Sequence, residues 1–240
     1  MHTIINQYGQ PVGESLPDWS ERSRPADVVL EGVFCRLEPL NAECHTDDLY
    51  TAYCSAPDHR DWTYMFAGPF HDAGEYRRYT EHASRSVDPK HYAVIDHKAR
   101  KAVGTCALMR VDANNGVIEV GNVMFSPLLK KSPTSTEAQF LLMKHVFEDL
   151  RYRRYEWKCD SLNAPSRKAA DRLGFSFEGI FRQAVVYKGR SRDTAWYSII
   201  DKEWPAIKNA FLTWLAAENF DGEGKQRRSL VEVREGLTSV

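Results

Sequence analysis

The 240-residue chain has no Cys-x-x-Cys pair, and its five cysteines, at 35, 44, 54, 106 and 159, are odd in number and widely scattered. That spacing argues against a disulfide framework and suggests reduced thiols in a cytosolic protein. Net charge is nearly absent too, since 32 Lys and Arg against 33 Asp and Glu leave −1. No global positive field draws the chain to nucleic acid or an anionic membrane, so any basic function has to be local. Apolar runs are short, and none approaches the roughly 18 residues of a membrane span. The polar stretch Met1–Pro25 lacks the apolar segment of a secretion signal. The expectation is a cytoplasmic protein. The eight histidines show no HxxxH or HxxH spacing, and without a companion cysteine pair they predict no metal site. Internal repeats and low-complexity tracts are missing.

What is present fits one packed domain with extensions, with 42% apolar residues. Residues 1–27, with Pro11, Pro17 and Pro25 among polar residues, read as an arm draped over the domain or left mobile. The domain runs over 28–218. The stretch 219–240, with Gly-Glu-Gly-Lys-Gln-Arg-Arg, reads as a tail.

Within the domain, Val28–Leu37 has strand character, while Thr46–Cys54 and Asp72–Arg85 read as helices. His91–Ile95 and Ala102–Met109 form a hairpin, and Gly116–Phe125 gives a further strand. Phe140, Met143, Phe147 and Leu150 then share a helix face, with Thr134 and Glu137 as a capping box at its start. Tyr155, Trp157 and Cys159 alternate with charged residues in strand fashion. A second helix starts at Asn163, with Pro165 in its first turn, and stops at Gly174. The hairpin Gly179–Tyr187 and Arg192–Ile200 follows. Asp201 is placed to cap a last helix carrying Trp204, Ile207, Phe211 and Leu215 on one face.

The run Tyr155–Asp160, then Asn163-Ala-Pro-Ser166, Leu173-Gly-Phe175 and Glu178-Gly179, resembles the C-terminal half of the GNAT acetyltransferases, within them the RimJ/RimL branch of ribosomal-protein N-terminal acetyltransferases. The resemblance implies an α/β fold of the α+β kind. Its mixed, mainly antiparallel sheet would hold about seven strands, flanked by helices and splayed between the fourth and fifth. It also implies acetyl-CoA as cosubstrate, bound at that splay.

The family's phosphate loop, normally glycine-rich, corresponds to Lys130–Thr136. Lys131 stands at its basic position, while Thr134 and Thr136 replace the small residues. Threonine is a poorer backbone donor site than glycine but adds a hydroxyl, and Pro133 removes one N–H. Arg167, Lys168 and Arg172 add positive charge on the following helix. Asn163 is an N-cap, a ligand for the pantetheine arm, or both. Ser166 stands for the usual tyrosine, where this chain has Ala170; it either hydrogen-bonds the CoA sulfur or allows tight packing. The resemblance implies a backbone N–H on the fourth strand as the oxyanion donor, from any one of Val123, Met124 and Phe125. Glu119 is the general base or a paired surface carboxylate, with Asn122 as a route for a water chain.

Trp62, Tyr64 and Phe66 on one side, and Arg182, Tyr187 and Asp193 on the other, would line the acceptor cleft; Trp62 and Phe66 also fit a core. Cys159 offers an acyl-cysteine route, but its alternation reads as core. The expected reaction is acetyl transfer from acetyl-CoA to a primary amine, small molecule or protein N-terminus, without a covalent intermediate or metal. The arms could support a homodimer. A non-catalytic acyl-CoA-binding module is the competing expectation.

Overall fold

The computed structural model describes residues 4–238. A small hairpin, β1 (Ile4–Ile5) with β2 (Pro11–Val12), stands apart from the main sheet. That sheet contains β3 (Leu30–Glu31), β4 (Cys35–Pro39), β5 (Lys90–Asp96), β6 (Lys101–Asp112), β7 (Val117–Phe125), β8 (Arg154–Asp160), β9 (Ser176–Tyr187) and β10 (Arg190–Ile200). Its order is β3-β4-β5-β6-β7-β8-β10-β9, eight strands where about seven were expected. The added strand comes from the Val28–Leu37 region, which Gly32–Phe34 turns back on itself so that Leu30 pairs with Leu37. Every pairing is antiparallel except β7 with β8.

Helices cover both faces. On one side lie α1 (Ala42–Cys54) and α2 (Ala73–Ser84), capped by Asn41 and Asp72; their Leu49, Tyr53 and Tyr76 pack with Ala93, Ile95 and Met124 of the sheet. On the other lie α3 (Pro133–Lys144), α4 (Ala164–Leu173) and α5 (Trp204–Leu215), which share the larger core with Tyr92, Val94, Ile118 and Tyr155. The predicted face of α3 is real: Phe140, Met143 and Phe147 are buried. The helix widens into a π turn over His145–Asp149 before Leu150. Gly174 stops α4 with φ +99°, a conformation that an L side chain rarely adopts.

The expected capping box is replaced by a longer-range interaction. Ser132 caps α3, its Oγ accepting from Ser135 N–H, while Thr134 is buried and donates to Asp96 Oδ2 at 3.2 Å. The Glu137 carboxylate reaches across to the β3–β4 turn and accepts N–H bonds from Val33, Phe34 and Cys35 at 2.7, 2.6 and 2.8 Å. Gly32 makes room for it, since a Cβ there would lie 2.5 Å from Glu137 Cδ. Asp201 likewise leaves α5 uncapped: its carboxylate accepts from Lys202 N–H, and Glu203 occupies the cap position without a side-chain bond.

Both chain extensions lie against this body. Trp19 donates its indole N–H to Asn114 O at 2.7 Å, and Arg22 N–H bonds Ala113 O, so the arm follows the β6–β7 turn. The stretch read as a tail carries α6 (Leu230–Thr238), whose Leu230 and Val233 join the larger core. Arg234 there donates to Arg172 O and Asp171 O, satisfying carbonyls at the end of α4.

Glu137→Ala would strip three backbone donors of a charged acceptor, at a cost of about 3 kcal/mol. For a chain of this size the expected drop in Tm is roughly 6–12 °C by calorimetry. A Tm within a degree of the parent would remove Glu137 from the anchoring of β3 and β4.

Candidate active site

β7 and β8 run parallel, and their pairing covers only Val117–Val120 against Arg154–Trp157. Beyond it the strands continue separately, β7 to Phe125 and β8 to Asp160. The divergence has a local cause. Against β6, Gly121 pairs with Ala107 and Met124 with Thr105, so two residues, Asn122 and Val123, stand opposite one. This is a β-bulge, with Asn122 at φ +47°, and bulges bend the strand that carries them. The stretch 121–125, holding the expected oxyanion donors Val123, Met124 and Phe125, therefore has no partner on its β8 side.

Ser166 and Glu119 approach this gap from opposite faces of the sheet. Glu119 and Val120 are successive residues paired with Glu156 and Trp157, and successive strand side chains point to opposite faces. On the α4 side, Asn163 Oδ1 caps the helix through Ser166 N–H at 3.1 Å. Ser166 Oγ accepts the Trp157 indole N–H at 3.0 Å. Cys159 lies beside Ser166, 6% exposed, its thiol pushed up by burial and so protonated. A buried neutral thiol in this position is a poor nucleophile.

On the other face Glu119 is 4% exposed and bound by two cations, Lys158 Nζ at 3.0 Å and Arg110 at 3.4 Å. Desolvation raises its pKa above the ordinary carboxylate value, while those cations pull it back down. Lys158 also holds Glu156 at 2.7 Å and lies 3.7 Å from the centre of the Trp196 ring. Glu156 and Glu178 share Arg154, which completes a line of alternating charges that is buried at Glu119, Lys158 and Glu156 and exposed at its Arg110 and Glu178 ends. Neither the solvent-paired carboxylate nor an isolated one describes Glu119.

The expected basic cluster is largely committed within the protein. Lys130 pairs with Asp61 at 2.5 Å, Arg167 donates to Tyr197 Oη and Ser161 O, and Arg172 donates to Thr136 Oγ1 at 3.1 Å. Lys131 and Lys168 remain exposed at the two helix starts, Lys131 with φ +58°. The Thr134 and Thr136 hydroxyls both face inward, and Ser135 N–H is taken by Ser132. A phosphate at this loop would meet main chain and Lys131 rather than threonine hydroxyls.

A loop closes the acceptor side. Trp62 is buried edge-on against Tyr53 and Phe70, and Tyr53 donates its hydroxyl to Met124 O at 3.0 Å on the bulged strand. From the same loop Tyr64 reaches Leu162 O after β8, and Lys188 of the last hairpin donates to Trp62 O at 2.7 Å. With Asp61 held by Lys130 just beyond β7, the loop spans both banks of the gap. Behind it lies an aromatic cavity of about 180 Å³ that includes Tyr50, Tyr53, Trp62, Phe70 and Tyr76. The Phe66 and Tyr187 rings meet at a tilt with centres 5.5 Å apart, and Tyr187 donates to Asp160 at 2.8 Å. Arg182 and Asp193 line a separate open groove with Gln183 and Ser191. Sequence reasoning missed Tyr53, Trp157, Lys158 and Arg192. Lys158 carried the one usable signal, a lone cation between two strand positions that read as core.

Among the described residues no His, Cys, Asp and Glu cluster could hold a metal ion, and no helix is long and apolar enough to cross a membrane. A family model described as an acetyltransferase (GNAT) domain matches residues 35–176. The crystal structure of a GCN5-related N-acetyltransferase from Brucella melitensis is 50% identical at TM-score 0.90, covering 92% of this chain and 100% of that one. An uncharacterized N-acetyltransferase p20 from Bacillus licheniformis is 28% identical over 172 residues, 70% of this chain and 95% of the relative. A RimL ribosomal L7/L12 α-N-protein acetyltransferase shares 17% identity at TM-score 0.61 over 72% of this chain and 94% of its own, which shows likeness of fold alone.

Lys158→Met would leave Glu119 and Glu156 buried without their shared cation. The expected loss is about 3–5 kcal/mol in denaturant unfolding, and the Glu119 pKa should move further up. A loss below about 1 kcal/mol, the worth of an exposed pair, would show that the network is solvated.

Proposed function

The chain belongs to the GNAT acetyltransferase family and is an acetyltransferase, and on that premise we propose that it moves an acetyl group from acetyl-CoA directly to a primary amine. The observation that carries this reading is the early end of the β7–β8 pairing, which opens one gap to both faces of the sheet. Acetyl-CoA would supply the activated acyl thioester, held by main chain at Lys131–Thr134 and by Asn163.

Three demands follow from attack of an amine on a thioester: a neutral amine, a stabilised oxyanion and a proton for the departing sulfur. Glu119, with its raised pKa, accepts the amine proton directly or through water at Asn122. The main-chain N–H groups among Val123, Met124 and Phe125 serve the oxyanion. Ser166 serves the sulfur: its oxygen is occupied as acceptor by Trp157, which leaves its O–H to donate. The protonated, buried Cys159 supports direct transfer over an acyl-cysteine route. Membership of the RimJ/RimL branch is supported by Asn163, Ser166 and Thr136-Glu137-Ala138, and a cytoplasmic location by the five free cysteines.

Acetyl-CoA at about 100 times its Kd should add roughly 2.7 kcal/mol, a Tm rise of about 5–10 °C. No rise across a wide concentration range sinks the reading. A rise with no product from an amine library leaves a non-catalytic acyl-CoA-binding module.

Two variants separate the roles. Ser166→Ala should lower kcat at least tenfold, as expected for loss of one hydrogen bond of about 1.5–3 kcal/mol to the developing thiolate, while the acetyl-CoA Tm shift stays intact. With Glu119 as base, kcat/KM falls as pH drops through its raised pKa. Glu119→Gln should abolish that acidic limb, and an unaltered pH profile would eliminate Glu119.

A further inference from the structure

Arg192 is the one arginine of the last hairpin that faces inward, 7% exposed, and its Nε has no hydrogen-bond partner. Among the described residues no carboxylate is ion-paired with it; its guanidinium carbon lies instead 5.4 Å from the Phe66 ring centre and 5.7 Å from that of Tyr187. An arginine cannot shed its proton to escape burial, and buried charges ordinarily have counter-ions. Aromatic faces compensate such a cation only in part. Two residues on, Thr194 is 4% exposed and its hydroxyl also lacks a partner. Two unsatisfied donors thus stand buried together at the acceptor end of the gap.

The neighbours restrict what could satisfy them. Thr194 pairs across the strands with Asp160, whose oxygens already accept Leu162 N–H at 2.9 Å and Tyr187 Oη–H at 2.8 Å. Asp160 forms no ion pair with Arg192 among the described residues, and its charge opposes a doubly charged phosphate more than a singly charged carboxylate. The planar guanidinium matches a carboxylate in shape, with a hydroxyl beside it to donate a further bond.

We infer that Arg192 and Thr194 form a carboxylate-recognition site, so that the acceptor is a small amine that carries its own carboxylate, as a free amino acid does. Phe66 and Tyr187 frame that site with aromatic surface. The inference rests on the acetyl-transfer reading for the amine, but the anion site is measurable without turnover.

The test uses the intact protein with CoA and two probes, N-acetylphenylalanine and N-acetylphenylalaninamide, which differ only in charge at the carboxyl end. By calorimetry the acid should bind at least tenfold more tightly than the amide, and Arg192→Met should erase that difference. The acetyl-CoA Tm shift should persist in the variant. Replacing an uncompensated buried charge should leave its own Tm unchanged or higher, and Arg192→Lys should keep part of the preference.

Equal binding of acid and amide, binding of neither, or a preference that survives Arg192→Met would each overturn the carboxylate site. None of these would touch acetyl-CoA binding or acetyl transfer to uncharged amines. Loss of the acetyl-CoA shift in Arg192→Met would place the guanidinium on the cofactor instead, and would equally overturn it.

Discussion

Parallel strands held in register hydrogen-bond continuously, and the interruption of that register after Val120 and Trp157 is what the rest of this site depends on. The bulge at Asn122 and Val123 bends β7 away from β8 without breaking its ladder to β6, which resumes at Met124. The edge of β7 from Gly121 to Phe125 thereby lacks a strand partner inside a sheet, where main-chain groups would ordinarily be paired.

The side chains around the gap are held by one another. Ser166 is fixed by Trp157, Tyr53 ties the bulge to α1 through Met124 O, and the loop carrying Trp62 and Tyr64 is fastened at Leu162 and Lys188 on the β8 side and at Lys130 beyond β7. Such mutual fixing places groups before substrate arrives, and preorganised donors need little reorganisation during reaction. The charge line from Arg110 through Glu119, Lys158 and Glu156 to Arg154 serves the same end on the other face. Each carboxylate there has a cation on both sides, which offsets the cost of its burial. Glu119 keeps a raised pKa because desolvation outweighs its two cations.

Paired and unpaired charges here have different uses. Lys130, Arg167 and Arg172, which resemble phosphate ligands in sequence, are committed to Asp61, Tyr197 and Thr136 and brace the loops. Arg192, unremarkable in sequence, is the guanidinium left buried without an anion. A positive charge in a sequence says nothing about whether its counter-ion is already present.

Local chemistry determined much of the fold. The alternation of Tyr155, Trp157 and Cys159, the Asn163 cap and the Gly174 stop all lie within a few residues of what they control, so sequence alone located β8 and α4. The Asn163-to-Phe175 motif likewise pointed to the family before the fold was known. Interactions across the chain were not legible. Glu137 serves residues about a hundred positions away rather than capping its own helix, Asp201 caps nothing, and Leu230 and Val233 belong to the core despite a tail-like approach. Where Glu119 finds its cations, and why Arg192 finds no anion, is decided by which strands lie side by side. Strand order and the bulge are set by packing over the whole sheet, and that information resides in no single stretch of sequence.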